Sequence, residues 1–145
     1  MKSVSQEFIK MLVWSEKFTV GVKRLDFQHQ QLFNIINDLI AYQDASPGSE
    51  PIAEVLERIT QYADYHFKTE ERIMKEYDFP DYESQVREHN EFRAKTAGFC
   101  ADAIAGKPGL LREMLEYVQN WLTTHILESD VKLKYFLMAR DTYPT

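Results

Sequence analysis

Six side chains of metal-binding types are candidate ligands in this sequence, and the four histidines among them all fall on inward-facing positions of a helical pattern. The six are His29, His66, Glu70, His89, His125 and Asp130. Glu70 lies one helical turn after His66, so both side chains point the same way from one helix. Imidazoles and carboxylates that project into a helical bundle are the ligands of non-haem di-iron sites. A buried metal centre is therefore the first hypothesis.

A metal-free explanation has to be weighed against it. A single histidine on an apolar helix face is more often a hydrogen-bonded core residue than a ligand, and His66, Glu70 and His89 could satisfy one another by hydrogen bonds alone. A buried, unpaired carboxylate at Glu70 would nevertheless cost several kcal/mol or take up a proton. A cation between the helices removes that penalty, which favours the metal centre.

Asp130 is the least regular member of the set. It follows His125 by five residues, which is about 500° of rotation in a regular α-helix and leaves the two side chains about 140° apart. Either Asp130 lies on the surface, or the helix has a widened π-type turn at this point, a feature that often marks a functional site. The spacing alone leaves both alternatives open.

The kind of metal follows from the ligand types. Structural zinc prefers a closed tetrahedral site with thiolates, and the chain has one cysteine, Cys100. Two carboxylates with several imidazoles instead favour a pair of octahedral metals. The single cysteine also rules out an intrachain disulfide and fits a reducing compartment. Glu71 and Arg72, which follow the candidate ligands, are expected on a solvated face.

Composition excludes several other functions. The net charge of −6 argues against a nucleic-acid-binding surface, which requires a basic face. No stretch approaches the ~20 apolar residues of a membrane span, and the N-terminus lacks the apolar core of a signal peptide. The 145 residues are most simply one domain, 1–145. We therefore expect a soluble, cytoplasmic protein.

The elements that must position these side chains can be read from the apolar spacing. Apolar residues advance by threes and fours in four blocks, which predict helices at about 26–42, 49–77, 82–104 and 109–138. Residues 1 to about 24 carry aromatic residues without that spacing and predict an ordered N-terminal arm. Four amphipathic helices with short connections predict an all-α, antiparallel, up-down-up-down four-helix bundle.

Motifs along nearly the whole chain resemble those of the bacterial hemerythrins. Each motif is weak alone, but together and in this order they are specific. They are Trp14…Phe18-Thr19-Val20-Gly21-Val22…Leu25-Asp26-x-Gln28-His29, His66-Phe67-Lys68-Thr69-Glu70-Glu71, Pro80-Asp81-Tyr82-Glu83, Glu88-His89 and Trp121-Leu122-x-x-His125-Ile126…Asp130. The resemblance implies two iron ions, bridged by an oxo or hydroxo group, that bind O2. Manganese in place of iron in one site stays open.

The resemblance also implies a role for each candidate ligand. Glu70 and Asp130 would bridge the two irons. The iron with the open position for O2 would be held by two histidines, His29 and His66. The second iron would be held by His89 and His125, together with a third histidine one turn before His89.

That third position is Gln85 in this chain, so the sequence departs from the family pattern at a ligand. Three interpretations are open. Gln85 ligates through its amide oxygen, it swings away and leaves a second open position, or the second metal binds weakly and the site is often half-filled. In every case the loss of an imidazole should weaken the binding of the second iron or leave one of its coordination positions open.

The function that this resemblance implies is reversible O2 binding, as a carrier, store or scavenger, in a pocket whose dry wall would be formed by Leu122, Phe33, Trp121 and Phe92. Two alternatives remain. One is a di-iron enzyme of the oxidase or peroxidase type, which an opened second iron would favour. The other is a sensor module for O2 or NO. The sequence leaves open the oligomeric state and the choice among O2, NO, peroxide and small anions as ligand.

Overall fold

The computed structural model describes residues 9–42 and 50–140, and every regular element in this part of the chain is helical. The elements are a 3-10 helix (Glu16–Phe18), α1 (Lys23–Ile40), α2 (Glu50–Glu76), α3 (Tyr82–Ile104), α4 (Leu110–Thr124), a π-helix (His125–Asp130) and α5 (Val131–Met138). The last three run on without a break and together form the fourth long helix. The predicted beginning of the arm, residues 1–8, and the predicted start of the second helix at residue 49 lie outside the described residues.

Each of the four long helices packs against two neighbours around a common interior. Contacts join α1 to α2, α2 to α3, α3 to α4 and α4 to α1. The connections at 77–81 and 105–109 are short, so the helices they join run antiparallel. This confirms the predicted all-α four-helix bundle. Within the described ranges, no helix is long and apolar enough to cross a membrane.

The turn between α2 and α3 sets where α3 begins. The amide of Phe79 bonds the carbonyl of Met74 at 2.9 Å, and Asp78 has the left-handed φ of 56° that such a helix end requires. Pro80 follows and cannot continue the helix. The chain therefore reverses within five residues and restarts at Tyr82.

A polar layer divides the interior of the bundle into two apolar clusters. The larger cluster includes Leu32 and Phe67 on one side of this layer, and the smaller includes Leu25, Ile73 and Leu133 on the other. The smaller cluster consists of Val22, Leu25, Ile73, Met74, Phe79, Leu133 and Leu137. The histidines and acids described below lie between these two clusters.

The described part of the N-terminal arm is held against α1 by a pair of amide hydrogen bonds. The amide of Leu12 donates to Oδ1 of Asn37 at 2.8 Å, and Nδ2 of Asn37 donates to the carbonyl of Leu12 at 3.0 Å. The ring of Phe33 on α1 packs edge-on against both Trp14 and Phe18. The arm is therefore ordered by specific contacts, as the sequence predicts.

Replacing Asn37 tests how far these two bonds secure the arm. Asn37→Ala leaves the amide and the carbonyl of Leu12 without partners, and we expect a loss of about 1–3 kcal/mol in the free energy of unfolding by urea. Cleavage by a nonspecific protease before residue 19 should become faster. Asn34→Ala, at an exposed position of the same helix, is the matched control. Equal stability of the two variants would contradict the assignment.

Candidate metal centre

The polar layer brings all six predicted ligand residues together. His29 comes from α1, His66 and Glu70 from α2, His89 from α3, and His125 and Asp130 from the two ends of the π-helix. All six are buried, and none exceeds 3% exposure. Their ligand atoms form two groups within 4.8 Å, which we call site A (His29, His66, Glu70 and Asp130) and site B (Glu70, His89 and His125).

Glu70 stands between the two sites. Its Oε1 lies 2.9 Å from Nε2 of His89 and 3.4 Å from Nε2 of His125. Its Oε2 lies 3.8 Å from Nε2 of His66 and 4.0 Å from Nε2 of His29. One carboxylate oxygen therefore faces each site, which is the disposition that a bridging ligand requires.

The two carboxylate oxygens of Asp130 also face different sites, and the π-helix gives the side chain this direction. Because a π-helix bonds residue i to residue i+5, His125 and Asp130 stand one turn apart and point to the same side. The Oδ2 atom lies 3.2 Å from Nε2 of His29, and Oδ1 lies 3.3 Å from Nε2 of His125. The alternative that Asp130 lies on the surface is wrong, since its side chain is 0% exposed.

Three of the four imidazoles have a hydrogen-bond partner at Nδ1, the ring nitrogen that faces away from the centre of the layer. His66 Nδ1 lies 2.7 Å from Oε1 of Gln28, His89 Nδ1 lies 2.8 Å from Oε2 of Glu71, and His125 Nδ1 lies 2.7 Å from Oε1 of Glu88. An oxygen acceptor at Nδ1 keeps the proton there and leaves the lone pair of Nε2 for the centre of the layer. The rings are thereby held in the tautomer that binds metals.

These outer partners are what the sequence reasoning missed. The expectation that Glu71 lies on a solvated face is wrong, because it accepts from His89 and pairs with Arg93. Glu88 also accepts from the hydroxyl of Ser129 at 2.7 Å. A usable signal was present: Gln28, Glu71 and Glu88 each sit directly beside a candidate ligand in the sequence.

The layer contains polar atoms that the protein itself does not satisfy. The unpartnered buried atoms at the centre are Nε2 of His29, Nε2 of His66, Oε2 of Glu70, Oδ2 of Asp130 and Oε1 of Gln85. The Nε2 atoms of His89 and His125 also lie 3.2 Å apart, where two lone pairs repel unless a cation or a proton lies between them. Imidazole nitrogens and carboxylate oxygens suit iron and manganese, so the donor set fits a pair of such ions.

The charges of the protein without metal follow from this crowding. Burial lowers the pKa of His125, but the charge of Asp130 and the neighbouring acids raise it well above its ordinary value, and hydrogen bonds to Glu70 and Glu71 raise the pKa of His89. Burial raises the pKa of Asp130, yet the charge of His125 brings it well below its ordinary value. Protons therefore compete with a metal ion for these imidazoles more strongly than at ordinary histidines.

His66 in site A behaves in the opposite way. Burial, with the nearby His29, lowers the pKa of His66 to about 3. This imidazole is neutral at every pH near neutrality, and its Nε2 lone pair is free. Site A therefore offers an imidazole for which protons do not compete near neutrality.

Gln85 lies in the polar layer itself, with a relative exposure of 2%. Its Nε2 donates to Oδ1 of Asp130 at 3.1 Å, while its Oε1 has no partner. The structure without metal therefore has Gln85 inside the layer and bonded to Asp130. Ligation of a metal by Gln85 stays a prediction.

The residues predicted to form the wall of the O2 pocket do not all lie against the metal centre. The ring of Trp121 stacks on His125 at 4.6 Å, and Phe92 contacts Trp121 at 4.7 Å. Leu122 belongs to the same apolar cluster. The ring contacts of Phe33 are with the arm instead. Phe67, which the sequence reasoning did not single out, stacks on His89 at 4.1 Å and covers site B.

Comparisons with known proteins agree with this geometry. Residues 20–137 match the family described as the Hemerythrin HHE cation binding domain. The chain is 28% identical to a bacteriohemerythrin of Clostridium acetobutylicum over 83% of this chain and 96% of that one. It is 30% identical to a myohemerythrin of Theromyzon tessulatum over 83% of this chain and 89% of that one. A crystal structure of wild-type hemerythrin superposes with a TM-score of 0.78 at 27% identity, covering 86% of this chain and 95% of that one.

Metal binding should release protons and strengthen as the pH rises. The pKa values of His89 and His125 are raised above their ordinary value of 6.5, so protons compete with a metal ion for both rings. Titration with a divalent ion in two buffers of different ionisation enthalpy should reveal that release, and lowering the pH should weaken binding. Affinity that is independent of pH would contradict the assignment.

The acceptor at His125 Nδ1 should matter to the metal although it does not touch it. Glu88→Ala removes the group that orients this ring, and we expect about 10–100-fold weaker binding of the second metal ion. Equilibrium titration of the metal-free protein measures the effect. Glu128→Ala, at an exposed position of the π-helix, is the control, and the two variants should differ.

Proposed function

Because this chain belongs to the hemerythrin family, we propose that it is a non-haem di-iron protein that binds O2 reversibly. The observation that carries the proposal is the position of two buried carboxylates, Glu70 and Asp130, each with one oxygen toward each pair of imidazoles. A single metal ion would need neither the second pair nor two divided carboxylates. The proposal covers a carrier, a store or a scavenger of O2.

Each half of the layer would hold one iron. His29 and His66 would bind in site A, and His89 and His125 in site B, while both carboxylates would be shared. When bound, the two ferrous ions would supply one electron each to O2 and recover both electrons when it leaves. Carboxylate oxygens and imidazoles together favour iron over a thiolate-preferring metal.

The chain's own residues would keep this exchange reversible. Leu122, Phe92 and Phe67 are buried members of the apolar cluster beside the layer, and Phe67 stacks on His89. Water and small anions that reached the centre would displace the oxygen in its reduced form and leave the metals oxidised, so a dry wall favours release of O2 unchanged. The hydrogen bonds at Nδ1 would hold the rings still as the ligand comes and goes.

A second candidate function is an enzyme of the oxidase or peroxidase type. The specific observation in its favour is that Gln85 stands beside site B with its amide nitrogen on Asp130. Because position 85 has no imidazole to occupy a coordination position of the second metal, a substrate or peroxide could bind that metal. Steady oxidation of an organic reductant by peroxide, abolished in His66→Ala, would favour this alternative.

The visible spectrum of the anaerobic, ferrous-loaded protein distinguishes the two. We expect a charge-transfer band that appears when O2 is admitted and disappears when O2 is removed, over repeated cycles. Immediate and irreversible conversion to a diferric spectrum would contradict reversible binding and favour the enzyme. Leu122→Asn, which makes the wall polar and leaves the ligands in place, should shorten the life of the O2-bound form.

A further inference from the structure

The contact with Asp130 fixes which way the amide of Gln85 is turned. A carboxylate has no proton to donate, so the amide group that faces Oδ1 of Asp130 must be the NH2 end. The amide oxygen of the same side chain is thereby turned away from that carboxylate. It is buried, and the described residues give it no hydrogen-bond partner.

With Gln85 held in this way, the two sites receive the same protein donors. Site A has the imidazoles of His29 and His66, and site B has those of His89 and His125. Each site also faces one oxygen of Glu70 and one of Asp130. Iron and manganese bind about six donors, so four from the protein leave both sites room for a small ligand.

A cavity lies on the outer side of His125, next to site B. It lies between α3 and α4, has a volume of about 670 Å³, and includes His125, Glu88, Ser129 and Trp121 in its lining. Of the four histidines, His125 is the one that lines it. The lining also contains five glutamates and one lysine, and this charge favours the approach of neutral ligands over anions.

We propose that site B is a second ligand position, open to small neutral molecules, and that Gln85 is the positioning residue that keeps it open. The amide nitrogen holds Asp130 in its bridging direction. The amide oxygen accepts a hydrogen bond from water, or from another proton-carrying neutral ligand, in that position. The inference rests on the proposed pair of metals and adds that both of them take up ligand.

Nitric oxide is a suitable probe because it is neutral and carries one unpaired electron. A pair of ferrous ions has an even number of electrons. One bound NO makes the total odd and must give an EPR signal, whereas two bound NO make it even again. Titration of the anaerobic, ferrous-loaded protein should therefore produce a signal at low NO that disappears as a second equivalent binds.

Variants at position 85 distinguish two effects of Gln85: leaving a ligand position open at site B, and holding Asp130 by a hydrogen bond. Gln85→His supplies an imidazole in place of the amide, and we expect uptake to stop at one NO with a persistent EPR signal. Gln85→Leu keeps the position open but releases Asp130, so two NO should still bind while the second iron binds several-fold more weakly. Gln61→His, at an exposed position of α2, adds a histidine outside the layer and should behave as the parent.

The outcomes separate this inference from the proposed function. Iron content is measured first, and fewer than two irons per chain would overturn the proposed function itself. Two irons with a signal that persists at excess NO in the parent protein would overturn the second ligand position alone. Identical titrations of the parent protein and Gln85→His would overturn the role of Gln85.

Discussion

Two negative charges buried in one dry layer are the constraint around which the bundle is arranged. Glu70 and Asp130 are both fully buried and close to the same four imidazoles. Burial of a carboxylate is costly unless opposite charge or hydrogen bonds compensate it. The two acids raise the pKa values of His89 and His125, and a pair of divalent cations would compensate the buried negative charge.

The elements of the fold can be understood as means of delivering donors to that layer. Three helices contribute through regular turns, whereas the fourth needs a π-helix to direct His125 and Asp130 to the same side. The apolar clusters above and below exclude water from the layer. Gln28, Glu71 and Glu88 then fix three of the rings from outside the layer.

Much of this could be predicted from the sequence, because helix periodicity depends on local spacing. The four helices, the burial of the histidines and the pairing of His66 with Glu70 all follow from residues three or four apart. The direction of Asp130 could not be settled by spacing, since a regular helix and a π-helix give opposite answers. The position of Gln28, Glu71 and Glu88 beside candidate ligands marks them in the sequence, but the imidazole that each one contacts, and the orientation of Gln85, depend on contacts between helices that spacing does not give.

The central claim is that the two shared carboxylates together hold two metal ions. Anaerobic titration of the metal-free protein with Fe(II), followed to saturation and measured as iron per chain, tests it most directly. The account predicts two irons in the parent protein, a loss of tight binding at both sites in Glu70→Gln, and no change in Glu76→Gln, whose position on α2 is exposed. One iron per chain, or two that survive in Glu70→Gln, would contradict it.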